Sequence, residues 1–397
     1  MSLQTVEAAR AALLEGVGPS GAEAVGLDEA DGRWLAEPVV ATRDQPPFDA
    51  SAMDGWAVRT ADLGEEPLRI VGESAAGAGF AGSLGPGETV RIFTGAPLPV
   101  GADRVVIQEE ARAAGDDLTV LAPADAPAWV RRRGADYGAG QVLLEPGARL
   151  NPWRIALAAS AGVGSVRCAR RPRVAVLAGG AEVVAAGQAA GALQIFDAAG
   201  PGVSQVARRA GAVVTPLPLV GDRLEEIRAA LETAEVDLIV VIGGASVGDH
   251  DRVKPAAREL GARMRVEGIA MRPGKPLWAA ILPDGRRILG LPGNPVSALV
   301  CGELFLKPLL AAMQGGVALP ETETMPLAEA LPANGPREHW MRAARVVGPD
   351  GRGAVRALPD QDSAMLTVLS GADGLIRRAA NAPQVGAGED VEILPLG

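Results

Sequence analysis

The chain has 397 residues, of which 48% are hydrophobic and 22% are charged, and its formal net charge is −10. This length exceeds what one hydrophobic core usually holds, so we expect roughly two to four domains. The negative charge argues against a nucleic-acid partner, because binding to a phosphate backbone needs a basic face. No apolar stretch approaches the roughly 18 residues of a membrane span, and the N-terminus lacks the features of a secretory signal, so we expect no membrane partner and a cytoplasmic protein.

The N-terminal 40 residues are predicted to be largely helical. Apolar residues at helical spacing predict an amphipathic helix over residues 3–16, and a second helical stretch over 27–35 is interrupted by Asp31-Gly32. Cys168 and Cys301 lie far apart in apolar sequence, which favours buried thiols over a disulfide or a zinc site.

Residues 41–140 predict a small β domain, because short apolar segments alternate with glycine-rich turns. Asp54 and Gly55 mark a turn before a strand over 56–58, and Thr94 stands at a strand end beside a glycine, where its hydroxyl could contact a ligand. Ordinary turns are the alternative interpretation of both features.

Three consecutive arginines, Arg131, Arg132 and Arg133, precede Asp136 in the next segment. They are candidates for holding an anionic substrate, although a solvated loop explains such a charge run equally well. A helix follows, with Asn151 as its N-cap and Pro152 in its first position. Residues 141–170 are therefore grouped with residues 1–40 as an N-terminal and linker helical region.

Residues 171–315 predict an α/β domain, because apolar strand-like runs alternate with helical stretches, which implies a mainly parallel sheet. The strand over 236–242 ends in a glycine-rich loop whose backbone N–H groups can approach an anion closely. Its glycines are Gly243, Gly244 and Gly248, and its polar side chains are Ser246, Asp249, His250 and Asp251. The paired carboxylates suit a divalent cation beside a phosphate, and a helix is predicted to begin near Asp251.

Two further loops of this region have the composition of an oxyanion site. Arg272 and Lys275 lie in a proline-restricted turn, and Ser297 follows Asn294, the predicted N-cap of a helix, with Pro295 in its first position. We expect both loops to meet the Gly243 loop at the carboxyl edge of one sheet. After residue 316, short strands separated by glycine and proline turns predict a small β-barrel or sandwich.

Seven motifs together resemble the molybdopterin molybdenumtransferases, the family that includes the C-terminal domain of gephyrin. They span nearly the whole chain in family order. The motifs are FDASAMDGWAVR (48–59), RIFTGAPLPVGADRVVIQEE (91–110), RRRGADYGAG (131–140), IGGASVGDHD (242–251), RPGKP (272–276), LPGNPVSA (291–298) and DGLIRR (373–378).

This resemblance implies four parts: the helical linker region, an inserted β domain over 41–140, a molybdopterin-binding α/β domain over 171–315 and a C-terminal β-barrel over 316–397. It also implies hydrolysis of adenylylated molybdopterin with a divalent cation, usually Mg²⁺, and insertion of molybdate into the dithiolene. A homodimer with an active cleft shared between subunits is implied, and a molybdopterin adenylyltransferase is a candidate partner.

The resemblance also implies a role for each matched residue. Asp54, Asp136, Asp251 and Thr94 look like the catalytic group, with Asp54, Asp249 and Asp251 as metal ligands. Arg272, Lys275 and Ser297 look like the molybdate pocket. The resemblance assigns the contacts to the pterin phosphate to Gly243, Gly244, Ser246, Gly248 and Asp249. It assigns further substrate binding to Glu182 and Asp197.

Two segments depart from the family pattern. Ala178 to Glu182 replaces the usual Ser-Thr-Gly-Asp-Glu, and Phe196 to Ala199 replaces a Tyr-Asp-Ser/Thr-Asn pattern. Each lost hydrogen bond to a charged group weakens ligand binding by roughly 1.5 to 3 kcal/mol. The alternative is therefore an altered or non-catalytic paralogue that binds molybdopterin, the finished cofactor or a partner protein.

Overall fold

The computed structural model describes residues 3–64, 67–122, 125–221, 223–243, 252–317, 319–348 and 351–396. The helices are α1 (Val6–Leu14), α2 (Pro152–Ser160), α3 (Ala199–Arg209), α4 (Leu224–Thr233), α5 (Val253–Glu259), α6 (Pro295–Cys301), α7 (Lys307–Ala312) and α8 (Leu366–Ser370). The strands of the first 170 residues are β1 (Ala22–Gly26), β2 (Val39–Val40), β3 (Ala50–Ser51), β4 (Gly55–Val58), β5 (Leu68–Ser74), β6 (Glu88–Ile92), β7 (Arg104–Ile107), β8 (Ala111–Ala114), β9 (Asp117–Val120), β10 (Val130–Arg131), β11 (Val142–Leu144) and β12 (Ser165–Ala169).

The later strands are β13 (Arg173–Ala178), β14 (Val183–Val184), β15 (Ile195–Phe196), β16 (Val213–Pro216), β17 (Leu238–Ile242), β18 (Arg263–Val266), β19 (Met271–Arg272), β20 (Trp278–Ile281), β21 (Arg287–Leu291), β22 (Glu323–Pro326), β23 (Glu338–Val347), β24 (Gly353–Ala357), β25 (Gly374–Arg378) and β26 (Asp390–Pro395).

The N-terminal helix is confirmed and the second predicted helix is wrong. Thr5 caps α1, whose buried face packs on the core of the α/β region. Residues 27–29 form a single 3₁₀ turn instead of the helix predicted over 27–35. Gly32 adopts a positive φ of 73°, which ends the helical conformation. Leu35 then pairs with Cys168 in a β-bridge, so residues 30–35 form no second helical turn.

The inserted region forms a six-stranded sheet in the order β7-β4-β6-β5-β9-β8. Apolar side chains cover both faces of this sheet in two separate clusters. The predicted Asp54-Gly55 turn is confirmed, because β4 begins at Gly55 between β6 and β7. A Cβ atom on Gly55 would lie 2.0 Å from the carbonyl oxygen of Val106, so this close strand approach requires glycine.

The α/β region contains a mixed sheet in the order β16-β13-β17-β21-β20-β18. Strands β16, β13, β17 and β21 run parallel to one another, whereas β20 pairs antiparallel with both β21 and β18. Helices α1, α3, α6 and α7 contribute to the hydrophobic cluster on one face, and α4 and α5 to that on the other. The carboxyl ends of β13, β17 and β21 therefore lie side by side at one edge.

The helical run Pro295–Ala312 joins α6, a π-helical segment and α7 without interruption. By length and composition it could cross a membrane, yet 72% of it is buried inside the protein. Its apolar composition is thus the composition of a core helix.

The C-terminal sheet has the order β19-β23-β25-β26-β22, with β24 also paired to β23. Leu327, after β22, bridges Val355 of β24, so the two ends of the sheet approach each other around a buried apolar cluster. Strand β19 belongs to this sheet although it precedes β20 of the α/β sheet in sequence. These sheets establish a multidomain α/β protein with mixed sheets; the closed barrel and the domain limits stay predictions.

Candidate functional site

Asp54 and Thr94 form a hydrogen-bonded pair at one end of the inserted sheet. The Asp54 Oδ1 atom accepts hydrogen bonds from the Thr94 backbone N–H and from its Oγ1 hydroxyl, each at 2.8 Å. These two bonds, helped by the charge of Arg91, lower the pKa of Asp54 below its usual value. Asp54 is therefore an anion at neutral pH; its Oδ1 atom is fixed by Thr94, and its Oδ2 atom has no hydrogen-bond partner among the described residues.

Arg91 stabilises the backbone around this pair. Its guanidinium lies 5.1 Å from the ring centre of Trp56 and 5.0 Å from that of Phe93, between two aromatic faces. It donates hydrogen bonds to the Gly55 carbonyl oxygen and to the Gln108 side chain. Local sequence patterns do not predict this stack, because Trp56 lies on β4 whereas Arg91 and Phe93 lie at the end of β6.

The arginines of residues 131–133 are less available to a substrate than predicted. Arg132 pairs with Asp49 at 2.6 Å, and Arg133 pairs with Asp44 at 2.5 Å. Backbone amides and these arginines lower the pKa values of both aspartates. The charges of Arg132 and Arg133 are thus already balanced by aspartates of the same region. Asp136 is exposed, and its backbone N–H donates to Gln45.

The ends of three parallel strands meet at the carboxyl edge of the α/β sheet. The Gly243 N–H donates to the Leu291 carbonyl oxygen at 3.2 Å, and a Cβ atom on Gly243 would lie 3.1 Å from the Gly179 carbonyl oxygen. Gly243 has a φ of 89°. The remaining residues predicted in this loop, Gly244, Ser246, Gly248, Asp249, His250 and Asp251, lie outside the described residues. The helix predicted from Asp251 is observed as α5, which begins at Val253.

Glu182 and Asp197 lie at opposite ends of the short parallel pair of β14 and β15: Glu182 directly precedes β14, and Asp197 directly follows β15. The Ile195 N–H donates to the Glu182 carbonyl oxygen at 2.8 Å, and the Glu182 side chain is exposed. The Asp197 Oδ1 atom accepts from Gly200 N–H at the start of α3. Asp197 also lines a cleft of about 270 Å³, together with Ser204 and Arg208 of α3.

Arg272 and Lys275 are not placed as the sequence predicted. Arg272 ends β19 and belongs to the C-terminal sheet, so the three predicted loops do not follow strands of one sheet. The turn still approaches the α/β edge, because a Cβ atom on Gly274 would lie 2.7 Å from the Cys301 Sγ atom, one helical turn beyond Ser297. Ser297 is 4% exposed, whereas Arg272 and Lys275 are exposed.

A cationic cluster lies where Arg272 meets β23. The Arg272 Nε atom donates to His339 Nε2 at 3.2 Å. His339 is 4% exposed, and burial, with the charges of Arg272, Arg342 and other arginines, lowers its pKa to about 4. The imidazole is therefore neutral at pH 7 and keeps its proton on Nδ1 while Nε2 accepts.

Arg342, also on β23, is fully buried and incompletely hydrogen-bonded. One nitrogen, Nη2, donates to the carbonyl oxygens of Asp360 and Asp362 at 3.2 and 3.0 Å. The Nε and Nη1 atoms have no hydrogen-bond partner within the described chain. Desolvation lowers the pKa of this guanidinium. Buried donors without partners indicate a position where an acceptor is missing. Sequence reasoning missed Arg342 because nothing in its local pattern distinguishes it from a strand arginine.

Asn294 connects this cluster to the α/β domain. It occupies the N-cap position of α6, as predicted, but its side chain makes no capping bond. Instead its Nδ2 atom donates to the Ser363 Oγ atom at 2.8 Å. Ser363 directly follows Asp362, whose carbonyl oxygen binds Arg342. We define Arg272, His339, Arg342, Asn294 and Ser363 as the junction site.

The comparisons with known proteins agree with this architecture. Three family models match in order: the MoeA N-terminal region (domain I and II) over residues 4–162, a probable molybdopterin binding domain over 175–312 and the MoeA C-terminal region (domain IV) over 324–396. The molybdopterin molybdenumtransferase of Haemophilus influenzae is 33% identical and covers 99% of this chain and 98% of that protein.

The corresponding protein of Nostoc sp. is 38% identical, over 75% of this chain and 70% of its own length. The structure of the molybdopterin biosynthesis MoeA protein from Pyrococcus horikoshii OT3 aligns over 100% of both chains, with a TM-score of 0.82 and 25% identity. The fold and the matches define a MoeA-type protein of molybdenum cofactor biosynthesis. The chain belongs to the molybdopterin molybdenumtransferase family.

Proposed function

We propose that this protein hydrolyses adenylylated molybdopterin, with release of AMP, and inserts molybdate into the dithiolene of molybdopterin. Family membership supports the reaction class. The single observation that supports molybdate binding is Arg342, a buried guanidinium of which two donor atoms have no hydrogen-bond partner in the part of the chain that the structure describes. A tetrahedral oxyanion supplies the acceptors that these atoms lack.

In this proposal the molybdate pocket is formed by Arg272, Lys275 and Ser297, as the resemblance implies, with Arg342 added. Burial, and to a smaller extent the charge of Arg272, lower the pKa of the Arg342 guanidinium, and an anion bound between the two cations relieves their repulsion. His339 holds Arg272 by one nitrogen and leaves its other N–H groups for the ligand. The pocket thus gains two fixed cations before any substrate binds.

The pterin end is assigned to the edge where β13, β17 and β21 finish. Gly243, with Gly244, Ser246, Gly248 and Asp249 beyond it, would contact the phosphate, and Glu182 and Asp197 would bind the remainder of the substrate. The close approach of Gly243 to Gly179 and Leu291 supports this assignment. Backbone N–H groups bind phosphate well where side chains are absent.

The hydrolytic group is assigned to Asp54, Thr94, Asp136 and Asp251. Asp54 is ionised and has one oxygen free, so it can orient the water that attacks the phosphoanhydride. The water oxygen bonds to one phosphorus and loses a proton, which the Asp54 carboxylate can accept, while the bond from that phosphorus to the bridging oxygen breaks and AMP separates from molybdopterin. Thr94 keeps the carboxylate anionic and directed.

The resemblance assigns Mg²⁺ to Asp54, Asp249 and Asp251. The described residues do not make a metal site on their own, since no three His, Cys, Asp or Glu side chains among them are grouped to hold an ion. We assign no reaction step to the metal. Measuring AMP release with and without added magnesium tests this dependence.

We further propose that the protein is a cytoplasmic homodimer whose cleft is shared between subunits, with a molybdopterin adenylyltransferase as its partner. The exposed positions of Thr94 and Asp136 suit completion by a second subunit. Mixing Asp54→Asn subunits with Arg342→Met subunits tests this. Restored activity in the mixture supports the shared cleft, and its absence from a verified mixed dimer contradicts it.

The experiment that tests the function is a titration of the purified protein with adenylylated molybdopterin, with and without molybdate. We expect AMP release and molybdenum bound to the product. An altered paralogue is the second candidate, because the N-cap residue of α3 is Ala198, whose side chain cannot accept a hydrogen bond, at a position where the family pattern carries a polar residue. Tight binding of molybdopterin without AMP release would favour that candidate.

A further inference from the structure

Arg91 connects the strand ends that surround Asp54. Its Nη1 atom donates a hydrogen bond to the carbonyl oxygen of Gly55, the next residue along the chain, at 3.3 Å. Its Nη2 atom donates to Gln108 Oε1 at 2.9 Å, and the Gln108 backbone N–H donates to the Asp54 carbonyl oxygen at 3.1 Å. One guanidinium therefore fixes the backbone from which the Asp54 carboxylate projects.

The same guanidinium also holds the strand end that carries Thr94. Trp56 lies directly opposite Arg91 in the register of β4 and β6, and Phe93 lies two residues after Arg91. The guanidinium is 5.1 Å from the ring centre of Trp56 and 5.0 Å from that of Phe93. Trp56 is two residues from Asp54, and Phe93 directly precedes the threonine. A guanidinium that is stacked and bonded in this way fixes both members of the pair relative to each other.

The inserted sheet contains a second pair of the same design, Asp103 and Thr60, which we call the duplicate pair. The Asp103 Oδ1 atom accepts from the Thr60 N–H and Oγ1, each at 2.8 Å. In both pairs the aspartate directly precedes a strand, and the threonine stands two residues beyond the end of the antiparallel neighbour. Opposite the second residue of the strand, the first pair has Arg91 and the duplicate pair has Ala57. The two hydrogen bonds therefore form without an arginine, so Arg91 has another role.

The charge of Arg91 acts on Asp54. Hydrogen bonds from Thr94 are the main causes that lower the pKa of Asp54, and the charge of Arg91 lowers it further. The remaining charged residues of β6, β7 and the turn after β7 are Glu88, Arg104, Glu109 and Glu110. The first two lie at the strand ends away from Asp54, and Glu109 accepts from the Gln108 side chain at 3.2 Å. Among the described residues, Arg91 is thus the cation that acts on this carboxylate.

We propose that Arg91 is a positioning residue of the hydrolytic reaction. The stack between two aromatic rings fixes the direction of the Asp54 carboxylate, and the guanidinium supplies a positive charge that the duplicate pair does not receive from Ala57. A carboxylate that is held ionised and in one direction orients a water molecule more effectively than a mobile one. This inference rests on the proposed function, in which Asp54 orients the attacking water, and Arg91 acts through Asp54.

The test measures kcat and KM for AMP release from adenylylated molybdopterin, across pH, in wild type and Arg91→Met. Loss of the charge raises the pKa of Asp54 toward its ordinary value, and a general base works only when it is ionised. The acidic limb of the kcat profile should therefore move to higher pH. At neutral pH, kcat should fall by about tenfold, the equivalent of one hydrogen bond to a charged group, and KM should change by less than about twofold.

Arg91→Lys separates the charge from the stack, because lysine keeps the charge but lacks the planar fork. Its acidic limb should stay at the wild-type pH, and kcat should fall by only about threefold. Arg69→Met is the matched control. Arg69 lies on the neighbouring strand β5, is exposed and pairs with Glu88 at 3.8 Å. Its loss should leave kcat, KM and the acidic limb unchanged.

A carboxyl titration measures the effect on Asp54 without any substrate. The ¹³C signals of the Asp54 and Asp103 carboxyl groups are identified in aspartate-labelled protein by their loss in Asp54→Asn and Asp103→Asn. In Arg91→Met, the Asp54 signal should titrate at a higher pH than in wild type, whereas the Asp103 signal should titrate as before. Arg91→Met combined with Asp54→Asn should lower kcat no further than Asp54→Asn alone, because Arg91 acts through Asp54.

The outcomes separate this inference from the function beneath it. An acidic limb and an Asp54 signal that both stay in place in Arg91→Met overturn the inference and leave the proposed function intact. A further loss of kcat by about tenfold in the combined variant also overturns it. If the wild-type protein releases no AMP, the proposed function fails, and the carboxyl titration still decides the role of Arg91. Should Arg91→Met not fold, Arg91→Gln must move the limb in the same direction, because it also removes the charge; an unmoved limb contradicts the inference.

Discussion

The Asp54 pair and the junction site are two polar sites built in opposite ways. At Asp54 a carboxylate is satisfied by one residue, Thr94, on a neighbouring strand end, and it remains exposed. At the junction, Arg342 of β23 is buried beside the exposed Arg272 of β19, and two of its donor atoms have no hydrogen-bond partner among the described residues. The first arrangement fixes one charge in water. The second places two cations, Arg272 and Arg342, close together, where an anionic ligand would balance their charge.

Arg342→Met should produce the largest effect and tests the claim that the junction cation exists for a ligand. Losing about two charge-assisted hydrogen bonds should weaken molybdate binding by about 100-fold or more. Stability should change little, because a buried cation without complete partners is commonly replaced by an apolar residue at little cost. Calorimetry and thermal denaturation measure the two quantities.

Arg345→Met is the matched control for that change. Arg345 lies on the same strand, β23, but it is exposed and pairs with Glu323. Its loss should leave molybdate affinity unaltered. Equal effects of the two substitutions would remove the distinction between the junction and the rest of the strand.

Asp54→Asn should lower the rate of AMP release by about 100-fold, since the amide keeps the Thr94 contact but loses the charge. The fold supplies an unusually close control. Asp103 Oδ1 accepts from the Thr60 N–H and Oγ1, each at 2.8 Å, in the same geometry on the same sheet. Asp103→Asn should leave the rate within about twofold of wild type. A comparable loss in both variants would mean that Asp54 acts on stability alone.

His339 makes the stability of the junction depend on pH. Its pKa in the folded protein, about 4, lies below the ordinary value of 6.5, so the unfolded chain binds the proton more readily. The contribution of neutral His339 to the free energy of unfolding is fully present above pH 6.5. It is lost as the pH drops toward 4, and the loss is at most about 3 kcal/mol. Urea unfolding of wild type and His339→Gln across this range measures the effect: the free energy of unfolding of the wild type should fall below about pH 6.5, and that of the variant should lack this fall. A wild-type curve parallel to that of the variant contradicts this assignment.

Thr94→Val should have the smallest effect and sharpens the account of the Asp54 pair. One of the two hydrogen bonds that lower the pKa of Asp54 is lost, so this pKa should rise toward its ordinary value while the remaining bond from the Thr94 backbone still lowers it. The acidic limb of the AMP-release profile should shift upward by the same amount. Thr60→Val, which alters the duplicate pair at Asp103, should leave the limb where it is.

Many of the helices and strands were predictable because they follow local rules. The buried parallel strands have continuous β-branched runs, and Asn151 caps α2 through its side chain, as the Asn-Pro pair indicates. The second N-terminal helix was not predictable from local composition, since Leu35 and its neighbours gain more from pairing with distant strands. Asn294 shows the same limit. Its position at the helix start was correct, whereas its side-chain partner is 69 residues away.

The candidate site divides in the same manner. Motif spacing identified Asp54, Thr94, Gly243, Arg272 and Ser297, because glycine turns and restricted loops have local signatures. Arg342 and Ser363 have no such signature, and Arg272 was assigned to the wrong sheet. Local composition determines which residues are able to bind an anion, but it carries no information about which strands of two sheets become neighbours.

The amino-acid sequence by itself determined the alternation of strands and helices, the turns that require glycine, and the residue types suited to phosphate and oxyanion chemistry. These properties depend on backbone sterics and side-chain chemistry, which act over a few residues. Only the tertiary structure decided that β19 leaves the α/β sheet, that Arg342 is buried without full hydrogen bonding, and that Asn294 faces Ser363. Burial and charge accumulation depend on contacts between segments distant in sequence, so they exist only once the chain has packed.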